Sequence, residues 1–362
     1  MSNKRIVIVT TTLEAGGLEK MVSCIGNYYS DRRWDVTIVC LMNETKEVFY
    51  ELNNIDVLFF NYNSKFSNIR YTPKWIKYLR SVFVDKKPDI VLAMTLKIAA
   101  LCSVAKKREP FRLVMREISD PKSKSRSRLF DLLLFRLCKK IDGIIFQTKW
   151  EKKCYPKYLQ KKGEVIPNPC EVQELERTIS DERIVTMGRL LNEQKRHDVL
   201  IKAFDLLKEK RPNSSLEIYG DGPDLKYDKE LVEKLGLTNR VSFVNAVKDV
   251  HSRIINAGCF VLTSDYEGLS NALLEALLLG IPCISTNWPG VEDVLTDGVN
   301  GYLVKRDNPA ELSEKILLLL GNSDTAQSFS LNAKSQKKVY SYKSILSKYA
   351  RVIEGDKYEE TV

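Results

Sequence analysis

Residues 259–285 read CFVLTSDYEGLSNALLEALLLGIPCIS, and this stretch decides the fold class. It begins with an apolar run that ends at Thr263 and continues through a polar loop. An apolar helical pattern then starts near Ser270 and stops at Gly280, before a second short apolar run. A strand, a helix and another strand in this order predict a βαβ unit, whose two strands are parallel.

The same alternation extends in both directions through the 362 residues, a length that exceeds one hydrophobic core. Short β-branched runs predict six strands before a polar, Pro-punctuated stretch (166–182) and six after it. They are 5–10, 36–41, 56–60, 89–94, 112–115, 143–147, 183–187, 215–219, 241–244, 259–263, 282–285 and 302–304. We therefore predict two α/β domains at 1–168 and 183–340, a linker at 169–182, and a helix at 341–362 able to return to the first domain.

The composition excludes several classes of protein. With 44% hydrophobic and 29% charged residues, the chain is an ordinary folded one, neither disordered nor low in complexity. The longest uncharged stretch (276–291) contains Gly and Pro, and the first residues lack a secretory pattern, so we expect a cytoplasmic chain without a membrane span. No Cys-x-x-Cys pair and only two histidines are present, so neither disulfides nor a metal site are expected.

The net charge of +10 is concentrated in one region. Residues 106–162 hold 18 Lys or Arg and 6 Asp or Glu, a local charge of +12. Within this basic patch, apolar residues at 129, 130, 133, 134 and 137 predict a helix. The helix is either a core element with solvated flanks or part of a surface that adsorbs to anionic membrane lipid. Nucleic acid is not an expected partner, because the patch lacks interleaved aromatic residues.

Ligands of open parallel sheets bind beyond the carboxyl ends of the strands. Gly16 and Gly17 follow the first strand and open a helix, whose N-terminus favours an anion, but they do not form a dinucleotide fingerprint. Arg189 and Lys195 follow the first strand of the second domain. The two cations suit a departing diphosphate, although solvated surface charge is the alternative.

Two carboxylates, Glu267 and Glu275, stand eight residues apart around the predicted helix start at Ser270. This reach fits one carboxylate on a sugar and the other on a ribose, with a diphosphate between them at the helix N-terminus. Two neighbouring features have plainer interpretations. His197, at a predicted helix start, is expected to face solvent or to cap the helix, and the Gly220-Asp-Gly222 segment is expected to form a tight turn.

These motifs together resemble the retaining nucleotide-sugar glycosyltransferases of the GT-B fold, family 4, including those that build surface polysaccharides. Glu267 and Glu275 match the E-x7-E motif of that family, and Arg189 with Lys195 matches its Gly-Arg-Leu…Lys element. Weaker matches are the Gly-Gly-x-Glu loop at 16–19, the strand entering the linker at 165–169, and the donor-domain ending at 287–301.

The resemblance implies two Rossmann-like domains facing an interdomain cleft, the first binding the acceptor and the second a UDP-sugar. It implies catalytic roles for Arg189 and Lys195 on the diphosphate and for Glu267 on the transferred sugar, with Glu275 on the ribose. The implied donor-binding residues are Gly16, Gly17, Arg189, Lys195, Glu267, Gly268, Leu269, Ser270, Asn271 and Glu275. No metal or cofactor is implied.

The sequence departs from the family pattern at two places. The motif Met115-Arg116-Glu117-Ile118-Ser119-Asp120-Pro121 stands at the end of the fifth predicted strand, where many members carry a histidine, and Arg196 stands where a glycine often follows the lysine. Arg196 either adds a phosphate contact or is simply exposed.

The resulting hypothesis is a retaining, metal-independent hexosyltransferase of surface polysaccharide synthesis. It would move a hexose or N-acetylhexosamine from a UDP-sugar to a glycan acceptor linked to polyprenyl diphosphate. The basic patch at 106–162 would place it as a peripheral protein on the inner face of the cell membrane. The alternatives are another GT-B enzyme, such as a sugar-nucleotide epimerase or phosphorylase, and a non-catalytic partner subunit.

Overall fold

The computed structural model describes residues 4–355 except 15, 44, 62–67, 118–127, 178–181, 246 and 248. It forms two compact units. One comprises the residues up to Asn168 and those from Lys343 onward, and the other comprises Pro169–Tyr342. Residues 169–177, in the segment suggested as a linker, belong to the second unit.

The first unit is built on a sheet that contains seven parallel strands among the described residues. They are β1 (Arg5–Thr10), β2 (Asp35–Cys40), β3 (Asp56–Phe59), β4 (Ile90–Ala93), β5 (Arg112–Arg116), β6 (Gly143–Phe146) and β7 (Gly163–Val165), in the order β3-β2-β1-β4-β5-β6-β7. The helices between them are α1 (Gly17–Asp31), α2 (Asn68–Lys86), α3 (Leu96–Lys106), α4 (Arg128–Leu137), α5 (Lys149–Cys154) and α6 (Lys157–Gln160).

The second unit repeats the architecture with six parallel strands in its described part. They are β8 (Arg183–Met187), β9 (Ser215–Tyr219), β10 (Val241–Val244), β11 (Cys259–Leu262), β12 (Cys283–Thr286) and β13 (Gly301–Val304), in the order β10-β9-β8-β11-β12-β13. Its helices are α7 (His197–Leu207), α8 (Leu225–Lys234), α9 (Val250–Ile254), α10 (Asn271–Leu279), α11 (Pro309–Leu320), α12 (Ser323–Lys334) and α13 (Lys337–Tyr340).

The central strands are buried on both faces, as parallel sheets covered by helices require. In β1, which reads RIVIVT, every residue after Arg5 is buried. The twelve predicted strands are all present, with each end within one residue of its prediction. The α/β class with two Rossmann-like parallel sheets is therefore confirmed. Hydrophobic patterning missed β7, because the three residues Gly-Glu-Val of this edge strand carry only one apolar side chain.

The last described helix, α14 (Tyr342–Glu354), packs within the first unit. The Arg112 guanidinium donates hydrogen bonds to the carbonyls of Val352 and Ile353, at 3.1 Å each. Arg32 forms an ion pair with the buried Glu354 at 2.6 Å. Among the described helices, none is long and apolar enough to cross a membrane.

Candidate active site

The predicted catalytic residues of the second unit lie at the carboxyl ends of the neighbouring strands β8 and β11. The Lys195 ammonium approaches Oε1 of Glu267 at 2.6 Å, and Ser264 Oγ donates to the same oxygen at 2.6 Å. The side chains of Lys195 and Glu267 are only 16% and 8% exposed. Because they are largely withdrawn from solvent, their electrostatic attraction is stronger than that of a surface ion pair. The structure thus joins two residues that are 72 positions apart in the sequence.

Three hydrogen bonds to main-chain carbonyls fix the two loops that carry this pair. Thr263 Oγ1 donates to the carbonyl of Lys195 at 2.8 Å, and the Asp265 amide donates to the carbonyl of Gln194 at 2.8 Å. Gln194 Nε2 in turn donates to the carbonyl of Tyr266 at 3.1 Å. The position of Lys195 relative to Glu267 is therefore set by the main chain as well as by the ion pair.

Arg189 occupies the same loop as Lys195 but points outward. Its side chain is exposed and makes no ion pair with any residue that the structure describes. Gly188 and Leu190 on either side of it are anchored, because their amides donate to the carbonyls of Tyr219 and Asp221. A rigid backbone thus presents a solvated guanidinium, which is available to an anion.

The glycine loop after β9 supports the Arg189 loop. A Cβ on Gly222 would lie 2.3 Å from the Leu190 carbonyl oxygen, and one on Gly220 would lie 1.9 Å from that of Gly188. Gly220 also has a φ of +145°, a conformation rare for other residues. The segment expected to be a plain turn therefore also provides the close backbone contact that holds Arg189 in place.

Ser270 caps helix α10, as the sequence indicated, since its hydroxyl accepts a hydrogen bond from the Leu273 amide at 3.4 Å. Gly268, Leu269 and Ser270 precede the helix, and no described residue accepts a hydrogen bond from their amides. These amides and the positive end of the helix dipole favour an anion at this position. Asn271 is the first residue of the helix.

Glu275 has a partner that the sequence did not reveal. Its Oε2 lies 3.4 Å from Nε2 of His251, which belongs to α9. No sequence pattern pointed to His251, because it stands 24 residues before Glu275 and outside every recognised motif. Both side chains are partly exposed, at 18% and 24%.

Arg196 is neither simply exposed nor free to contact a phosphate. Its guanidinium pairs with Asp198, Asp265 and Asp307, at 3.0, 3.4 and 2.7 Å. The hydrogen bonds and charges of Asp198 foremost, and then of Asp307, raise the pKa of Arg196 against the opposing effect of its partial burial. Arg196 thus ties the start of α7 to the loops after β11 and β13, a structural role that sequence reasoning missed.

The expectation that His197 faces solvent or caps α7 is wrong. The residue is 2% exposed, and Nδ1 of its ring has no hydrogen-bond partner among the described residues. Burial, reinforced by the nearby Lys195 cation, lowers the pKa of His197 to about 4. A neutral imidazole therefore packs beneath the Lys195 loop near neutral pH.

Gly16 and Gly17 lie in the first unit, at the carboxyl end of β1, whereas the other predicted donor residues belong to the second. Gly16 directly precedes α1, and a Cβ there would meet Glu19 Oε2 at 2.3 Å. Thr12 holds the same carboxylate at 2.5 Å. The glycine thus makes room for a side chain of the protein itself.

The Arg116-Glu117 pair, where the sequence departs from the family pattern, is buried at the end of β5. Arg116 Nε donates to the Tyr349 hydroxyl at 2.9 Å, and its Nη2 donates to Asn168 Oδ1. Tyr155 donates to the Glu117 carboxylate. Residues 118–121, which complete the motif, lie outside the described residues.

No group of three or more His, Cys, Asp or Glu side chains able to hold a metal ion is found among the described residues. The predicted donor-binding groups of the second unit are two cations, two carboxylates and a helix N-terminus. This set combines anion binding with acceptance of hydrogen bonds from hydroxyl groups.

Two family models together match residues 15–336. Residues 15–174 match Glycosyltransferase Family 4, and residues 171–336 match Glycosyl transferases group 1. The chain belongs to the GT-B glycosyltransferases. The second model includes every predicted donor residue of this glycosyltransferase except Gly16 and Gly17, which the first model covers.

Two relatives are similar over most of this glycosyltransferase. An uncharacterised glycosyltransferase of Methanocaldococcus jannaschii is 28% identical over 69% of each chain. An alpha-1,4-N-acetyl-D-galactosaminyltransferase of Campylobacter jejuni, named for a GalNAc-containing PP-undecaprenol substrate, is 24% identical over 96% of this chain and 98% of its own.

Among solved structures, Anabaena HepE in complex with UDP and glucose has a TM-score of 0.79 and 19% identity, covering 97% of this chain and all of that one. The lipopolysaccharide outer core galactosyltransferase WaaB has a TM-score of 0.76 and 17% identity, covering 97% and 99% of the two chains. At these identities the likeness shows the shared GT-B fold.

Proposed function

We propose that this glycosyltransferase moves a hexose or N-acetylhexosamine from a UDP-sugar to a glycan acceptor with retention of configuration. The observation that carries the proposal is the Lys195–Glu267 contact beside the exposed Arg189, at the carboxyl ends of β8 and β11. The structures of Anabaena HepE in complex with UDP and in complex with UDP-glucose support a uridine donor.

The chemistry follows from where charge develops. Breaking the bond between the sugar and the diphosphate leaves negative charge on the departing UDP, which Arg189, Lys195 and the amides before α10 would stabilise. The Lys195 ammonium has three donors, so it can retain Glu267 while binding a phosphate oxygen. These groups would supply the positive charge that balances the negative charge of the departing diphosphate. We therefore propose that the reaction requires no metal.

In this proposal, Glu267 and Glu275 each recognise one of the two sugar rings of the donor. Glu267, held by Lys195 and Ser264, would accept hydrogen bonds from hydroxyls of the transferred sugar. Glu275 would accept them from the ribose. Retention would come from attack on the same face that the diphosphate leaves, with an oxocarbenium-like transition state and no protein nucleophile.

The acceptor is proposed from the relatives. The Campylobacter jejuni transferase is named for a glycan on PP-undecaprenol, and a matched Bacillus subtilis protein, over 41% of this chain, is a poly(glycerol-phosphate) alpha-glucosyltransferase. We propose a lipid-linked glycan acceptor in surface polysaccharide synthesis, bound by the first unit.

A thermal-unfolding panel of UDP, GDP and ADP, with and without EDTA, tests the donor site. Millimolar UDP bound with micromolar affinity should stabilise the protein by about 4 kcal/mol. We expect this shift to resist EDTA, to be lost in Arg189→Gln and to persist in Arg196→Gln. Arg196→Gln should instead lower the unfolding temperature of the free protein, because it leaves three carboxylates without their shared cation.

Each other outcome has a definite meaning. A shift that EDTA abolishes would contradict metal independence. A shift with GDP or ADP but not with UDP would show that the base of the donor nucleotide is guanine or adenine and not uracil. No shift with any nucleotide would favour the non-catalytic partner subunit, and turnover of a UDP-sugar to its epimer without an acceptor would favour an epimerase.

Helix α4 supports the further proposal that the enzyme works at a membrane surface. Its buried side consists of Leu134 and Phe135, followed by Cys138, and Phe135 packs on Tyr155 with ring centroids 4.8 Å apart. The predicted apolar stripe is therefore mostly solvent-facing. Five large apolar side chains are exposed: Leu129 (80%), Phe130, Leu132, Leu133 and Leu137.

Basic side chains surround this apolar face. Arg136, Lys139 and Lys140 are exposed at the end of α4, and Lys97 lies 5.9 Å from the centre of the Phe130 ring. Exposed leucines within a cationic region match the two components of peripheral binding, which are apolar burial in the lipid interface and attraction to anionic headgroups. We propose that residues 106–162 bind anionic lipid in this way.

Flotation with phosphatidylserine-containing and pure phosphatidylcholine vesicles tests the membrane proposal. Leu129→Gln with Leu133→Gln should reduce binding to anionic vesicles about tenfold or more, because two apolar side chains no longer enter the lipid. The matched control is Leu206→Gln with Leu331→Gln, two similarly exposed leucines of the second unit. Equal binding by both double variants would contradict the proposal, as would wild-type binding that is insensitive to salt and to lipid charge.

A further inference from the structure

The contact between His251 and Glu275 joins the two helices that precede and follow β11. Nε2 of His251 lies 3.4 Å from Oε2 of Glu275. Among the described residues, this imidazole is the polar partner of Glu275, and the other carboxylate oxygen, Oε1, has none. Both side chains remain partly open to solvent, so a ligand can reach them.

The chemistry fixes the direction of the hydrogen bond. An ionised carboxylate can only accept, so the hydrogen must reside on Nε2 of His251. The arginine of α9, Arg253, is occupied by Asp249 at 3.2 Å. His251 is therefore the group of this helix that controls where the Glu275 carboxylate points.

We propose that His251 is a positioning residue for ribose recognition. It holds Oε2 of Glu275 and thereby leaves Oε1 directed to accept hydrogen bonds from the ribose hydroxyls of the donor nucleotide. Without it, the glutamate side chain would sample several rotamers and would lose that freedom when the nucleotide binds. The proposal rests on the proposed function, in which Glu275 faces the ribose, and deepens it by assigning preference for ribonucleotides over 2′-deoxyribonucleotides to the pair.

Calorimetric dissociation constants for UDP and 2′-deoxy-UDP test this assignment. A hydroxyl bound by a charged group should make the wild-type protein prefer UDP about tenfold or more. We expect His251→Leu to reduce that preference to about threefold, as a disordered Glu275 reads the hydroxyl less well. His251→Gln, which can still donate to Glu275, should restore most of it. Arg253→Gln, on the same helix, should leave it unchanged.

The ratio of the two dissociation constants separates positioning from a general structural role. A variant that merely disturbs α9 weakens both nucleotides equally, so an unchanged ratio in His251→Leu would overturn the proposal. Glu275→Gln should lower the ratio as well, and adding His251→Leu to it should have little further effect. A lower ratio that His251→Gln does not restore would also count against a hydrogen-bonding role.

The same measurements with GDP, ADP and their 2′-deoxy forms keep this inference distinct from the proposed donor. A protein that binds one of these in place of UDP refutes the uridine donor, yet its ribose preference still tests His251. Binding of none of the nucleotides would overturn both proposals. Thermal unfolding of every variant verifies that it is folded under the conditions of the titration.

Discussion

Asp228 shows how a single buried carboxyl can support a binding loop from below. Its Oδ1 accepts a hydrogen bond from Asn192 Nδ2 at 2.6 Å, while Oδ2 is buried with no partner in the part of the chain that the structure describes. Asn192 belongs to the loop between Arg189 and Lys195, and its amide donates to Asp224 at 2.6 Å. Burial, together with the charges of Asp198 and Asp224, raises the pKa of Asp228 to about 6.

This shift predicts a pH-dependent effect of Asp228→Asn on stability. The folded carboxyl takes up a proton more readily than the unfolded one, whose pKa is 3.8, so its contribution falls as pH rises from about 4 through 6. Above that range the folded protein holds a costly buried charge. Asp228→Asn should therefore stabilise the protein by about 1–3 kcal/mol near pH 7 and change little near pH 4. Denaturant unfolding at pH 4 and pH 7 measures the change in the free energy of unfolding. An equal change at both pH values would contradict the raised pKa of Asp228.

At the residue scale, the sequence predicts which side chains form the candidate site better than it predicts what surrounds each of them. Lys195 and Glu267 could be singled out because each stands beside glycines or other marks of a loop after a strand. The burial of His197 and the two distant partners of Arg196, Asp265 and Asp307, could not. Both depend on loops from other strands, and local patterns contain no information about which distant loops meet.

Among the elements, the two loops after β8 and β9 act as one support. Gly222→Ala should displace the Leu190 backbone, because the added Cβ would lie 2.3 Å from its carbonyl oxygen. We expect weaker binding of the donor nucleotide, by about tenfold, together with a loss of stability of about 1–3 kcal/mol. Calorimetric titration and thermal unfolding measure the two effects.

Gly236→Ala is the matched control. Gly236 also has a positive φ, +66°, but no atom of the described residues would lie within 4 Å of an added Cβ. Its substitution should cost about 1 kcal/mol of backbone strain and leave nucleotide binding intact. Equal losses of binding in both variants would show that the contact with Leu190 does not matter for the site.

The hydrophobic pattern locates both strands and helices, but it does not always show which face of a helix is buried. The twelve predicted strands could be located because strands buried on both faces are continuous apolar runs bounded by polar residues. For α4, the pattern gave the helix but left open whether its apolar stripe is covered by protein, and only Leu134 of that stripe is buried. An apolar stripe identifies a face that avoids water without stating whether protein or another apolar phase covers it.

The whole molecule depends on α14 for the completion of its first unit. Glu354 is 2% exposed and pairs with Arg32, while Arg112 binds the last carbonyls of the same helix. Tyr349 lies within the core of that unit and accepts the hydrogen bond from Arg116. The described chain thus leaves the first unit at Asn168 and returns to it at Lys343.

Glu354→Ala should destabilise the first unit by about 3 kcal/mol, because it leaves Arg32 without its buried partner. Hydrogen exchange should accelerate in β1 and β5 and remain unchanged in β8 and β11. The matched control is Glu314→Ala, at an exposed glutamate of the second unit that has no ion pair among the described residues. It should change neither the stability nor the hydrogen exchange of either sheet. Equal acceleration of hydrogen exchange in both sheets would contradict the expectation that the two units differ in their response to this substitution.

The return of α14 has a consequence for biosynthesis. A ribosome synthesises residues 169–342 before it reaches the helix that finishes the first unit. The second unit, though later in the chain, has all its parts available first. The first sheet must wait for it with the Tyr349 and Ile353 contacts unmade, so during translation the N-terminal half is the one exposed for longest to chaperones and proteases.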